Sequence, residues 1–181
     1  IRLSSIEINE ITDGIIDLIK NNKIMARHLH NPLQYESNTI LKSMNRLYDL
    51  DFFLKRIEYI RKEIPDISIT TDLIVGFPGE TEDFFKETIE TIKKINFSKI
   101  HVFPYSRRSG TKADLMENQI SPDVQEERSK KLLELSYKNQ KEYNKKYIGE
   151  TVEVLFLLNG FMPVLIIGLA VLIYPKLRLS S

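Results

Sequence analysis

Three stretches of this chain concentrate side chains able to do chemistry: HLHNPLQ at His28 to Gln34, TDLIVGFPGET at Thr71 to Thr81, and HVFPYSRRSGT at His101 to Thr111. In the second, Asp72 interrupts an apolar run, where a carboxylate must be hydrogen-bonded or functional. Gly76, Phe77, Pro78, Gly79, Glu80 and Thr81 then spell a tight turn into a helix, whose first N–H groups are able to hold a carboxylate or phosphate. The plainer reading is an ordinary strand-to-helix turn. His28 and His30 alternate on a strand, one expected to pack and the other to meet solvent, and the pair lacks a third metal ligand beside it. Arg107, Arg108 and Lys112 form a basic loop suited to phosphates. Arg128, Lys130, Lys131, Lys138, Lys141, Lys145 and Lys146 stud a long helix, but Glu126, Glu127, Glu134 and Glu142 share it, which favours a solvated face over a phosphate track.

The elements that must position these residues follow from periodicity. Ile1 to Ile6 reads as a short strand, and Glu10 to Asn21 as a helix with Ile11, Ile15, Leu18 and Ile19 on one face. Ile24 to Leu33 reads as a second strand, and Ser37 as the N-cap of a short helix carrying Ile40, Leu41 and Met44. A further helix after Asp49 or Asp51 buries Phe53, Ile57, Ile60 and Ile64 and stops before Pro65. Ile67 to Val75 has the β-branched, nearly apolar character of a central parallel strand. Thr81 caps the next helix, with Glu82 and Asp83 in its first turn and Lys93 and Lys94 in its last. Ile100 to Phe103 is a last strand, and Ser121 and Pro122 open a long helix to about Tyr147, ended by Gly149. Strands alternating with helices predict an α/β domain with a parallel sheet, too short of strands to close a barrel. In such sheets ligands bind beyond the carboxyl ends of the strands, which brings the three stretches to one end.

Composition narrows the chemistry. The chain holds no cysteine, so it forms no disulfide, thiolate zinc site or Cys-ligated iron–sulfur cluster. A net charge of +1 excludes no partner. The first residue is Ile1 and not methionine, from which we expect a cut edge inside a longer product. Val154 to Tyr174 carries no charge and is followed by Lys176 and Arg178, which predicts an apolar C-terminal helix long enough to cross a bilayer; a misread or aggregation-prone tail is the alternative.

RLSSIE at Arg2 to Glu7, HLHxPLQ, LKxMNR at Leu41 to Arg46, TTDLIVGFPGET and HVFPYSxRxGT together resemble the tRNA methylthiotransferase family in order and spacing, over Ile1 to about Phe156. The wording is nearest to the branch that modifies N6-threonylcarbamoyladenosine in the tRNA anticodon loop. The resemblance implies an incomplete radical-SAM, partial TIM-type barrel over residues 1–149, with residues 150–181 standing where the family has an RNA-binding β-barrel. It implies S-adenosylmethionine (SAM) and a 4Fe–4S cluster as cofactors, hydrogen abstraction from the adenine C2, then sulfur insertion and methylation. It also implies tRNA as partner and the cytoplasm as location of the parent enzyme. On these positions it makes Asp72, Gly76, Pro78, Gly79, Phe103, Tyr105 and Ser106 cofactor-binding, and His30, Gln34, Arg46 and Arg108 substrate-facing.

Three departures accompany it. The family's N-terminal segment with its CxxxCxxC loop is absent, so a separate half must supply the cluster and this chain alone is expected to be inactive. The family's PLQSGS reads Pro32-Leu33-Gln34-Tyr35-Glu36-Ser37, with bulky Tyr35 and charged Glu36 in place of a small pair. The apolar run at 154–174 replaces the barrel, which gives two alternatives: a membrane-tethered, non-catalytic remnant, or a pseudo-enzyme that binds SAM or RNA without turnover.

Overall fold

The computed structural model describes residues 1–151, and the chain divides into two units, Ile1–Gln140 and Lys141–Ser181. The elements are α1 (Asp13–Asn21), β1 (His28–His30), α2 (Asn38–Ser43), α3 (Leu50–Glu63), β2 (Ser68–Val75), α4 (Glu82–Ile95), β3 (Lys99–Pro104) and α5 (Pro122–Lys145), with short 3-10 turns at Ile8–Glu10 and Ala113–Leu115. The apolar helix expected at 154–174 lies outside the described residues. Among the described residues no helix is long and apolar enough to cross a membrane.

Helix boundaries obey local chemistry. Thr12, Asp49 and Thr81 accept from the backbone N–H of Ile15, Phe52 and Phe84 at 3.4, 2.8 and 3.2 Å, which satisfies one donor in each first turn. Ser37 stands at the N-cap of α2 as expected, yet its side chain makes no capping bond. Helix α4 ends on Asn96 in the left-handed region (φ 53°), a conformation asparagine tolerates better than most residues. In the second unit, the Tyr143 and Tyr147 rings pack one turn apart at a 58° tilt, with hydroxyls 2.9 Å from each other.

The strands pair in parallel in the order β1-β2-β3. The expected strand over Ile1 to Ile6 reduces to one parallel bridge, Ser5 to His30, with the Ile6 N–H donating to the His30 carbonyl at 3.1 Å. The expected strand over Ile24 to Leu33 shrinks to His28–His30. Pro32 explains the stop, since it has no N–H to give to the ladder. Pairing resumes at Gln34, which bridges Leu73; from His30 to Gln34 the chain uses one residue more than from Thr70 to Leu73, the signature of a bulge. Gln34 absorbs it with φ 66°, a left-handed conformation seldom adopted by a residue of its type.

One face of the sheet carries the core. Leu29, Ile69, Leu73, Val75 and Ile100 are buried in one cluster with Ile16 and Ile19 of α1, Phe53, Ile57 and Ile60 of α3, Phe85 and Ile92 of α4, and Leu132 of α5. The opposite face holds the half-buried Asp72 and Ile74, alternating with the core positions as period-two geometry requires.

Gly76 ends β2 with φ 74°, and a Cβ there would lie 2.3 Å from Cγ of Gln125, whose Nε2 donates to the Gly76 carbonyl at 3.3 Å. Gly76→Ala is therefore expected to cost about 1–3 kcal/mol by combining backbone strain with displacement of Gln125. In a Gln125→Ala background only the backbone part remains, about 1 kcal/mol. Denaturant midpoints of both pairs check this, and an equal cost in the two backgrounds contradicts the steric contact.

Candidate functional site on the open sheet face

Parallel register gathers the polar inward residues of three strands. His30 pairs with Thr70 and Asp72 with His101, so all four side chains emerge on the same face. His30 Nε2 lies 3.2 Å from Asp72 Oδ2, and His30 Nδ1 lies 2.9 Å from the Thr70 hydroxyl. The His101 ring meets His30 edge-on, with centroids 5.7 Å apart at 74°. One ligand atom from each of His30, Asp72 and His101 falls within 4.8 Å of the other two. Asp72 thus has the partner that its position in an apolar strand demanded.

His28 and His30 correct the expected split between packing and solvent. Residues two apart on a strand share a face, and both histidines are half-buried on this one. Arg2 Nε donates to His28 Nδ1 at 3.2 Å. Burial, then the Arg2 and His30 charges, push the His28 pKa down to about 4, so it is neutral at physiological pH. His101 is also lowered, by burial first and then by Lys99, against the opposing pull of Asp72.

The other predicted positions divide. Phe103 is half exposed on β3, and Tyr105 packs edge-on against Phe77 with centroids 5.3 Å apart. The Tyr105 hydroxyl is buried without a hydrogen-bond partner among the described residues. Ser106 and Arg108 are exposed, and the Arg108 carbonyl accepts from Thr111 N and Oγ1 at 3.2 and 2.8 Å. Arg46 is tied to Glu7 by a short ion pair. Gln34 is fastened by backbone bonds, its N–H donating to Asp72 O and its carbonyl accepting from Ile74 N, both at 2.9 Å.

The glycine turn does not present open donors in the way its sequence suggests. Gly76 N–H donates to Glu80 Oε2 at 2.9 Å, Gly79 N–H to Asn118 O at 3.0 Å, and Glu80 N–H to Phe77 O at 3.0 Å. Pro78 is buried in the same turn, while a Cβ on Gly79 would meet nothing within 4 Å. The plainer reading of the turn is the one these bonds favour.

Sequence reasoning missed a second polar cluster behind the turn. Glu80 and Arg128 are almost fully buried; Arg128 Nη1 donates to Glu80 Oε2 at 2.5 Å, Nη2 donates to Glu82 at 3.2 Å, and the guanidinium lies 5.2 Å from the Phe85 ring centre. The Tyr35 hydroxyl completes it by donating to Glu80 Oε1 at 2.8 Å. Arg128 had been grouped with the solvated charges of α5, although its spacing of four from Leu132 marks the buried stripe. Beside it Glu36 is buried with neither carboxylate oxygen bonded, since the Thr88 hydroxyl donates to Phe84 O at 3.0 Å.

A parallel α/β sheet with its reactive side chains gathered on one half-buried face defines the class, and comparison with known proteins gives the family. The chain belongs to the radical SAM superfamily, whose family model matches residues 1–92. It is 46% identical over 155 residues to the threonylcarbamoyladenosine tRNA methylthiotransferase MtaB of Bacillus subtilis (strain 168), an alignment covering 86% of this chain and 34% of that protein. It is 43% identical over 146 residues to the tRNA-2-methylthio-N(6)-dimethylallyladenosine synthase of Clostridium tetani, covering 81% and 32%. It therefore spans about a third of the length of these relatives. Coproporphyrinogen III oxidase (HemN) from Escherichia coli shares the fold, with TM-score 0.60 at 18% identity over 75% of this chain and 31% of that one.

The superfamily's two cofactors fare differently against these residues. This chain, without cysteine, offers no thiolate to ligate a 4Fe–4S cluster. SAM, with its polar and apolar parts, fits the open face better: Asp72 and the orphaned Tyr105 hydroxyl offer polar contacts, and the half-exposed Phe103 an aromatic one.

Proposed function

We propose that this chain supplies the second half of the radical-SAM core, a partial barrel over residues 1–149, of a tRNA methylthiotransferase that acts on N6-threonylcarbamoyladenosine in the anticodon loop. The observation that carries the reading is the 46% identity to the B. subtilis threonylcarbamoyladenosine enzyme across 155 residues, which spans all three chemistry-bearing stretches. The open face of β1 to β3, where Asp72, His30 and His101 converge, supports it as the binding surface. The dimethylallyladenosine relatives, at 43% identity, define the competing substrate.

In this reading SAM, given one electron from the cluster, would supply hydrogen abstraction, and SAM would also supply the methyl group. Asp72, Gly76, Pro78, Gly79, Phe103, Tyr105 and Ser106 line its site, with Asp72 accepting from its polar groups and Phe103 contacting its apolar surface. His30, Gln34, Arg46 and Arg108 face the nucleoside. The strained Gln34 backbone fixes the direction of its amide, and exposed Arg108 answers tRNA phosphate. The thiolates that hold the cluster come from another segment of polypeptide, and the protein works where tRNA is, in the cytoplasm.

The test is to co-express the full chain with the cysteine-bearing N-terminal half of the B. subtilis relative in a strain lacking its own methylthiotransferases, and to analyse tRNA nucleosides by mass spectrometry. The 2-methylthio derivative of threonylcarbamoyladenosine is expected, falling on the order of 10-fold or more with Asp72→Asn. The 2-methylthio derivative of the dimethylallyl nucleoside alone moves the assignment to that branch, and no methylthio nucleoside overturns it.

A further inference from the structure

We propose that His30, Asp72 and His101 form a three-ligand site for a divalent transition metal of the zinc class, with a fourth position left for water or a ligand. No single stretch of sequence shows this site, because each ligand comes from a different strand and register alone brings them together.

The geometry meets the requirements of such a site. Metal bonds of about 2.0–2.2 Å in tetrahedral array set ligand atoms roughly 3.4 Å apart. His30 Nε2 and Asp72 Oδ2 already stand 3.2 Å apart, and the whole set lies within 4.8 Å, so a small rotation of the His101 side chain closes the triangle. The outer shell is also in place. Thr70 Oγ1 sits 2.9 Å from His30 Nδ1, which fixes the ring and turns Nε2 toward Asp72, the arrangement by which metal-bound imidazoles are held. The site mounts on three hydrogen-bonded strands and not on loops, so its members keep their spacing without the metal. Two imidazoles and one carboxylate with an open position suit zinc, and cobalt as its spectroscopic substitute. The competing interpretation is a plain His30–Asp72 contact with His101 as a packing neighbour.

The site shares His30 and Asp72 with the surface proposed above for the nucleoside and SAM, and its test uses the metal alone, so that its failure and the failure of the methylthiotransferase reading are distinguishable. The full chain, purified through a chelator, is titrated with Co2+ and followed by visible d–d absorption. One equivalent with the intensity of a four- or five-coordinate site is expected. Asp72→Asn and His101→Ala, on different strands and checked for unchanged far-UV circular dichroism, should each weaken binding by at least about 10-fold. His28→Ala, two residues from His30 and outside the triad, should leave it unchanged. Absence of a visible band, binding that persists in both triad variants, or equal loss in His28→Ala overturns the proposal.

Discussion

Replacing Arg128 by leucine should lower the stability of the chain by about 3–5 kcal/mol, because it leaves the Glu80 carboxylate charged and buried without its cation. The pair is a poor source of net stability by itself, since both groups lost their hydration on folding; the cost of breaking it is the cost of stranding one member. Glu80 anchors three groups through four hydrogen bonds: the Tyr35 hydroxyl, the Gly76 N–H and the Arg128 guanidinium on its carboxylate oxygens, with Arg128 also reaching its carbonyl at 3.2 Å. Loss of the arginine therefore loosens the junction of β2, α4 and α5 together. Chemical denaturation reads the effect. Pairing Arg128→Leu with Glu80→Leu should recover more than half of it, because an apolar pair needs no counter-charge, whereas additive losses would place the damage in packing against Phe85 instead.

The second large effect is a pH dependence centred on Glu36. Burial pushes its carboxyl pKa up to about 7, with the Glu87 and Glu80 charges adding to the rise. The folded chain thus holds a proton on Glu36 that the unfolded chain has released above about pH 4.5. The stability associated with that proton is complete below pH 4.5 and is lost as pH rises through about 7. Glu36→Gln, neutral throughout, should match the parent near pH 4.5 and exceed it by about 3 kcal/mol near pH 8.5, at 1.36 kcal/mol per unit. Urea midpoints at the two pH values test this; a constant difference between the proteins would mean that Glu36 titrates normally.

Much of the scaffold was legible from residue pattern. The span of α4 follows from Thr81, the acidic first turn and the basic last turn, and β2 follows from a β-branched run that ends on glycine. The short strands were not, because β1 is set by its neighbours: Pro32 ends its ladder and the bulge before Gln34 is forced by pairing with β2. The site was half legible. Asp72 signalled itself as a carboxylate in an apolar run, but His101 is 71 residues beyond His30, and only the parallel register between strands makes them neighbours. Arg128 was grouped with solvated charges, although the helix repeat through Leu132 puts it inside, and the residue pattern around Glu36 carries no signal of its burial.

The β1-β2-β3 order bears on how the domain comes into being. Each strand lies beside the one made just before it, so every new strand finds its docking edge already synthesised and no earlier edge must wait for a later arrival. Loop closure is then confined to one helical crossover at a time, which keeps the entropic barrier of each step small for an all-parallel sheet. A chain of this design is suited to assembly in the direction of translation, with β3 as the growing front.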